Sequence, residues 1–328
     1  MKALLCRRYG PPGDLVVDEI AVPTPGAGEV LVAVKAAGVN FPDALIIENK
    51  YQIKAQPPFS PGGELAGIVA KVGAGVTRVR PGQAVIGFTG WGAFAEMALV
   101  PEERLVAMPE GMPFEIAGSF LMTYGTSFHA LVDRAELLDG ETVLVLGAAG
   151  GIGLACVEIA KAMGAKVIAA ASSAGKLAVC REHGADETID YGREDLRSRI
   201  KEITGGRGVD VVCDPVGAAL AEPALRSMAW RGRYLVLGFA GGEIPRLPLN
   251  LPLLKGCSIV GVFWGDLLQR EPAQAAADLE QLATLWHQGR IRPHIWQRFP
   301  LERAAEAIAA LVERRVVGKA VIVPAGLG

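Results

Sequence analysis

Between residues 143 and 153 the chain reads Val143-Leu144-Val145-Leu146-Gly147-Ala148-Ala149-Gly150-Gly151-Ile152-Gly153, a spacing suited to holding a diphosphate. Four consecutive apolar residues have the character of a strand buried on both faces. A glycine-rich turn follows, and Leu154 to Met163 continues with helical periodicity. Gly150 lets a ligand approach the backbone, and Gly153 lets the helix lie close to the strand. A pyrophosphate there would meet free N–H groups and the positive end of the helix dipole. Ala149, Gly150, Gly151 and Ile152 are the expected contacts. Ala148 stands where the usual G-x-G-x-x-G has its first glycine, and the same pattern without a ligand is a tight strand–helix turn.

A second group lies after the next strand, Lys166 to Ala171. Folds that prefer NAD place an Asp or Glu about 20 residues past the glycines, on the ribose hydroxyls. Here the residues are Ser172-Ser173-Ala174-Gly175-Lys176, with no carboxylate before Glu182. A hydroxyl and a lysine favour a 2′-phosphate, so Ser172 and Lys176 point to NADPH, and Tyr191, after the following strand, adds a hydrogen bond. The alternative is that Ser172 caps the next helix and Lys176 is an ordinary surface lysine.

These residues need a framework. The chain has 328 residues, 51% of them hydrophobic, which suits two domains and a large core. Residues 1 to about 118 are rich in short apolar runs such as Val30–Val34 and Ala84–Gly87, separated by Pro-Gly turns, and predict a partly closed barrel. From 119 the pattern alternates. Strands are expected at 143–146, 166–171, 209–213, 233–237 and 257–262, and helices at 151–163, 175–183, 194–203 and 219–230: a doubly wound parallel sheet over 119–265. Residues 266–328, with a helix Pro272 to Gln288, a second from Ala304 to Glu313 and a last strand Lys319–Val323, are expected to return to the first domain, with the active site in the cleft. The formal net charge of −2 and the lack of a basic run argue against nucleic acid and anionic membranes. The N-terminus does not read as a signal peptide, and five scattered cysteines suit a reducing cytoplasm.

Several further motifs carry a family resemblance. They are Ala37-Gly38-Val39-Asn40-Phe41-Pro42-Asp43, Pro61-Gly62-Gly63-Glu64-Leu65-Ala66-Gly67, Asp214-Pro215-Val216-Gly217 and Gly318-Lys319-Ala320-Val321, together with the nucleotide turn. The chain resembles the zinc-free quinone oxidoreductase (zeta-crystallin-like) branch of the medium-chain dehydrogenase/reductases. The resemblance implies a GroES-like first domain, a Rossmann second domain and a homodimer paired through Cys257–Val262. Zinc relatives carry a cysteine and a histidine where this chain has Asn40 and Gly63, and their four-cysteine loop is absent here. No metal is therefore expected. Without a Lewis acid the chemistry shifts from alcohol oxidation to hydride delivery from NADPH to a quinone or similar conjugated carbonyl.

By the same resemblance, Asn40 lines the site and hydrogen-bonds the acceptor oxygen or a water. Asp43 orients Asn40, or else caps the segment Ala44 to Glu48. Tyr51 is the expected proton donor or acceptor-binding phenol, or else packs a loop beside Pro57-Pro58. Thr123 and Thr126 approach the nicotinamide. Gly238 and Phe239 wrap the adenosine and the backbone of Phe263 and Trp264 reaches the nicotinamide amide, the alternative for both being ordinary loop packing, and Lys319 contacts the pyrophosphate or is a strand-edge lysine. Glu64 is expected to be a structural, hydrogen-bonded carboxylate. An enoyl-thioester or enone reductase is the nearest alternative, and a non-catalytic NADPH-binding protein the alternative of a different class.

Overall fold

A computed structural model describes residues 1–325. The chain divides into two compact units, Met1–Met122 joined by the chain from His294 onward, and Thr123–Pro293.

The first unit is built on a seven-stranded, mainly antiparallel sheet. Its long strand Glu29–Gly38 pairs on one side with Glu64–Val72. On the other side it pairs first with Met97–Pro101 and then, at its end, with Lys319–Val323. The sheet continues through Ala84–Phe88 to Leu105–Ala107 on one flank and Ile295–Pro300 on the other. Alternating residues such as Val32, Leu65, Val100, Leu105 and Ile322 fill its core. The register sets Val321 opposite Gly38, and Val39 donates its N–H to Ala320 O at 2.9 Å. The ends of three strands thereby meet around Gly38, Glu64 and Lys319.

The second unit is a six-stranded parallel sheet. Its spatial order is Glu187–Asp190, Lys166–Ala171, Thr142–Leu146, Val209–Asp214, Met228–Val236, Ser258–Gly261. The first strand in sequence lies in the middle, so the chain reverses between Thr142–Leu146 and Val209–Asp214. Open α/β sheets bind ligands at the carboxyl ends of the strands at such a reversal. Every residue of Thr142–Leu146 is buried, as its apolar run requires.

Three expectations are corrected. The helix expected at 219–230 is only Ala221–Arg226, and the strand expected from 233 begins at Met228. Arg231 adopts φ +62°, which a helix cannot continue through, while Met228 and Ala229 are drawn into the core. The return to the first unit comes at His294, not 266. Helix Pro272–His287 buries Ala275 and Leu282, the Arg290 side chain reaches Ala162 O, and Arg292 N–H donates to Glu158 at 3.0 Å, so the chain stays with the second unit. The first unit extends past 118 to Met122, where the Met122 N–H is held by Glu64. Among the described residues no helix is long and apolar enough to cross a membrane.

The strand–turn–helix at 142–162 makes separate demands on its glycines. A Cβ at Gly153 would lie 2.4 Å from Gly147 O and 2.6 Å from Ala148 Cα, both immovable backbone. A Cβ at Gly150 would meet only Gly147 O, at 3.4 Å. Gly153→Ala is therefore expected to lower unfolding stability by about 1–3 kcal/mol. Gly150→Ala should unfold within about 0.5 kcal/mol of the parent. Chemical denaturation of the two variants checks both.

Candidate functional site

In the second unit, strand Thr142–Leu146 ends at Gly147, whose φ of +56° turns the chain into Ala148 and Ala149. Gly150 caps helix Gly151–Ala162, and the first intrahelical bond runs from Leu154 N–H to Gly150 O at 2.8 Å. The N–H groups of Gly151, Ile152 and Gly153 precede that bond and are oriented to meet an anion. The fold itself does not require the missing side chain at Gly150, which leaves its face of the turn open. This cradle fits a pyrophosphate.

At the end of the neighbouring strand, Lys176 Nζ lies 3.3 Å from Ser172 Oγ, with Ser172 exposed and Lys176 partly so. Ser173, not Ser172, caps helix Ala174–Glu182, accepting from Lys176 N–H at 3.4 Å. Tyr191 is placed beside this pair by its N–H bond to Ala171 O at 3.1 Å. Ser172, Lys176 and Tyr191 therefore stand at adjacent strand ends, a donor set that fits a phosphate ester.

The loops beyond the reversal are organised by Asp214. Its Oδ1 accepts from Val216 N–H and Gly217 N–H, each at 2.8 Å, and its Oδ2 is bonded by the Tyr234 hydroxyl. The backbone of Ala240 and Gly241 then bonds to Pro215 and Val216, carrying the Gly238–Gly242 loop, with Phe239, against Gly217. Phe263 is half exposed and caps helix Trp264–Arg270. The Trp264 side chain is buried, and a Cβ at Gly125 would lie 2.7 Å from its indole, so only its backbone can serve a ligand. Thr123 is buried in the π-helical segment Leu121–Gly125, and Thr126 follows it, partly buried.

The first unit holds a different kind of centre. Asn40 caps helix Phe41–Ile47 but turns its amide inward. Asn40 Nδ2 donates to Glu64 Oε1 at 2.8 Å and Gly38 O at 3.2 Å, and Oδ1 accepts from Lys319 Nζ at 2.6 Å. Lys319 also donates to Val39 O at 3.0 Å and Glu64 Oε1 at 3.1 Å. Glu64 Oε2 accepts from Met122 N–H at 3.0 Å. Glu64 is fully buried and Lys319 only 4% exposed. Glu64 is thus the hydrogen-bonded structural carboxylate expected of it. A Cβ at Gly38 would lie 2.6 Å from Glu64 Oε1, so the glycine there makes room for the carboxylate.

This arrangement changes two expectations. Lys319 has all three ammonium hydrogens engaged inside the first unit, so it has none for a pyrophosphate. Both amide hydrogens of Asn40 are likewise taken, so Asn40 does not donate to an acceptor oxygen. Asp43 is not the cap: it sits three residues into the helix, where Oδ2 accepts Asn40 N–H at 2.7 Å and Oδ1 accepts Gly62 N–H at 3.2 Å. It thereby holds the Asn40 backbone N–H. Tyr51 packs half-buried against the core, and its hydroxyl has no hydrogen-bond partner among the described residues. Burial, helped by the Asp43 carboxylate, raises its pKa, so the phenol keeps its proton. Sequence reasoning missed the union of Lys319 with Asn40 and Glu64. The three residues lie in motifs far apart in the chain, and only the strand register brings them together.

Burial pushes the Asp43 carboxyl up to about 7, against the pull of its two N–H donors and Lys319. The unfolded chain releases this proton near pH 4. The group's contribution is therefore full below about pH 4 and is lost as pH rises through about 7. Relative to Asp43→Asn, the parent is expected to lose stability over that interval, by at most about 1.4 kcal/mol per pH unit. Denaturant titrations of both proteins across pH 4–7 read this difference.

Comparison with known proteins adds the family context. Residues 26–110 match the alcohol dehydrogenase GroES-like domain and residues 151–281 the zinc-binding dehydrogenase family. The chain is 38% identical over 322 residues to quinone oxidoreductase-like protein 2 of Bos taurus, covering 98% of this chain and 92% of the relative. It is 37% identical over 317 residues to a quinone oxidoreductase of Pseudomonas aeruginosa, with 96% and 97% covered. A solved structure of Escherichia coli quinone oxidoreductase complexed with NADPH superposes with a TM-score of 0.92 at 29% identity, covering 99% of this chain and 100% of that one.

Proposed function

The chain belongs to the zinc-free quinone oxidoreductase branch of the medium-chain dehydrogenase/reductase superfamily, and on that premise we propose that it is an NADPH-dependent quinone reductase. The observation that carries this reading is the ammonium of Lys319 lodged on Glu64 and Asn40. A fixed cation stands where zinc relatives would assemble their ligands, and Asn40 offers no thiolate. A dication would meet like charge and a poor donor set. With no metal to polarise an alcohol oxygen, the acceptor must be electrophilic by its own conjugation, as a quinone is.

Bound NADPH supplies a hydride. The chain's own residues bind, orient and hold protons. Gly150 to Ile152 present backbone N–H groups to the pyrophosphate. Ser172, Lys176 and Tyr191 take the 2′-phosphate, and no carboxylate among the Ser172–Lys176 residues opposes it. The loops at Gly238–Phe239 and Phe263–Trp264 complete the cofactor site through backbone and ring contacts, with Thr123 and Thr126 toward the nicotinamide. Tyr51, whose hydroxyl has no partner among the described residues, donates to the acceptor oxygen. Asn40 and Asp43 position the surrounding backbone and do not touch the acceptor. A quinone makes small demands on acid catalysis, because its reduced oxyanion is stabilised by the ring.

Purified protein is expected to oxidise NADPH in preference to NADH with 1,4-benzoquinone and 9,10-phenanthrenequinone. Lys176→Ala should raise the KM for NADPH about tenfold or more, the loss expected for a hydrogen bond to a charged group. Steady-state kinetics with 2-hexenal and crotonyl-CoA alongside decides the class. Turnover confined to crotonyl-CoA would make the protein a thioester reductase. NADPH binding without any turnover would make it a binding protein.

The second unit also supports a homodimer. Strand Ser258–Gly261 is the edge of its sheet, and Ile259 is exposed on it. Trp230, Leu249, Leu253 and Leu254 are each more than 70% exposed, and a Cβ on Gly256 would lie 2.6 Å from the Trp230 ring. An open strand edge beside such apolar residues is suited to pairing with a second copy. Sedimentation should give twice 34.4 kDa, and Leu253→Glu should shift the protein toward the monomer.

A further inference from the structure

One cluster of titratable groups in the second unit has no part in the proposed chemistry. His129 and Asp133 lie four residues apart on the π-helical segment His129–Arg134, with His129 Nδ1 2.7 Å from Asp133 Oδ2. Asp278 faces them from helix Pro272–His287. One potential ligand atom from each of the three residues lies within 4.8 Å of the other two. Asp278 is 1% exposed. Its Oδ1 accepts from Gln274 Nε2 at 2.8 Å, while its Oδ2 is buried beside the Asp133 carboxyl and accepts from no N–H or O–H donor among the described residues. The other ring nitrogen of His129 has no partner among the described residues, and no lysine or arginine among them pairs with either carboxylate.

Two carboxylates and an imidazole held this closely, with a buried oxygen left over, call for a positive charge between them. The donor set, one nitrogen and two carboxylate oxygens, is that of a divalent transition metal. Ligand atoms about 2.1 Å from a tetrahedral ion lie about 3.4 Å apart, and one atom from each residue here lies within 4.8 Å of the others, so an ion needs only small side-chain adjustments, including release of the His129–Asp133 hydrogen bond. His129 is buried and Asp133 is partly exposed, so an ion would enter past the Asp133 carboxylate, the side on which a water could bind.

We propose that His129, Asp133 and Asp278 bind a divalent transition-metal ion of the Zn2+ class, which clamps the His129–Arg134 segment to the helix Pro272–His287. The ion has a structural role, in a different unit from Asn40, Glu64 and Tyr51. Gln274 supports the site by fixing the Asp278 carboxylate from outside.

The test uses the full-length protein, stripped of metal and titrated with Co2+, whose visible absorption reports ligand geometry. The expected result is one equivalent bound, displaced by Zn2+, with a rise of several degrees in Tm at saturating Zn2+. Asp278→Asn and His129→Ala should each weaken Co2+ binding at least tenfold, with quinone reduction retained. Absence of stoichiometric Co2+ binding by the parent at millimolar ion would overturn the proposal, because the two carboxylates would then be sharing a proton. Binding that survives Asp278→Asn undiminished would overturn it equally, by placing the ion elsewhere. The parent's titration decides the first point even if a variant fails to fold.

Discussion

A buried ion pair holds the first unit together at its most demanding point. Glu64 and Lys319 are both withdrawn from water, and removing either partner would leave an uncompensated charge at a cost of about 3–5 kcal/mol. Such a pair adds little net stability over apolar residues of the same size, but it is highly specific about geometry. The ammonium must reach Val39 O, Asn40 Oδ1 and Glu64 Oε1 together, which locks the ends of three strands in register. The inward amide of Asn40 and the capture of Met122 N–H go with this one contact, while the glycine at 38 makes room both for the Glu64 carboxylate and for the backbone at Gly118 and Ser119.

The second unit organises its ligand face by other means. Asp214 is a buried carboxylate without a cation, satisfied by two backbone N–H groups and a tyrosine hydroxyl. It ties the strand-end loops to one another through short-range bonds. Where the first unit closes its polar groups inward, the turn at 147–153 leaves its helix N-terminus facing outward. One unit thus fixes the environment of a phenol, and the other keeps donors open for phosphates. This division suits an oxidoreductase whose reactive group is carried by a cofactor and not by a side chain.

The nucleotide turn was legible in the sequence because everything it needs lies within about 20 residues: strand, glycines, helix, and no carboxylate at the second strand end. The strands at 166–171 and 319–323 and the helix at 272–287 were also legible from periodicity. What periodicity lacks is an address. The apolar face of Pro272–His287 marks it as packed, but nothing in its spacing says against which unit, and it was expected with the wrong one. Lys319 shows the same limit at a single residue: a lysine beside a strand reads as a surface or phosphate-binding group. Its true partners became visible only through the register of Val321 against Gly38. The resemblance points to Tyr51, but that its hydroxyl has no partner among the described residues follows only from how the chain packs around it.

The distance along the chain between Glu64 and Lys319, 255 residues, has a consequence for synthesis. A ribosome delivers Glu64 early and Lys319 only after the whole second unit has emerged. Until then the strand Glu29–Gly38 lacks its terminal neighbour and the Glu64 carboxylate has no ammonium to meet it. The second unit draws on an uninterrupted stretch of chain and completes itself first. The unit that holds Glu64 is therefore the one that finishes folding last, and a nascent chain halted anywhere before Lys319 carries that carboxylate without its counter-ion.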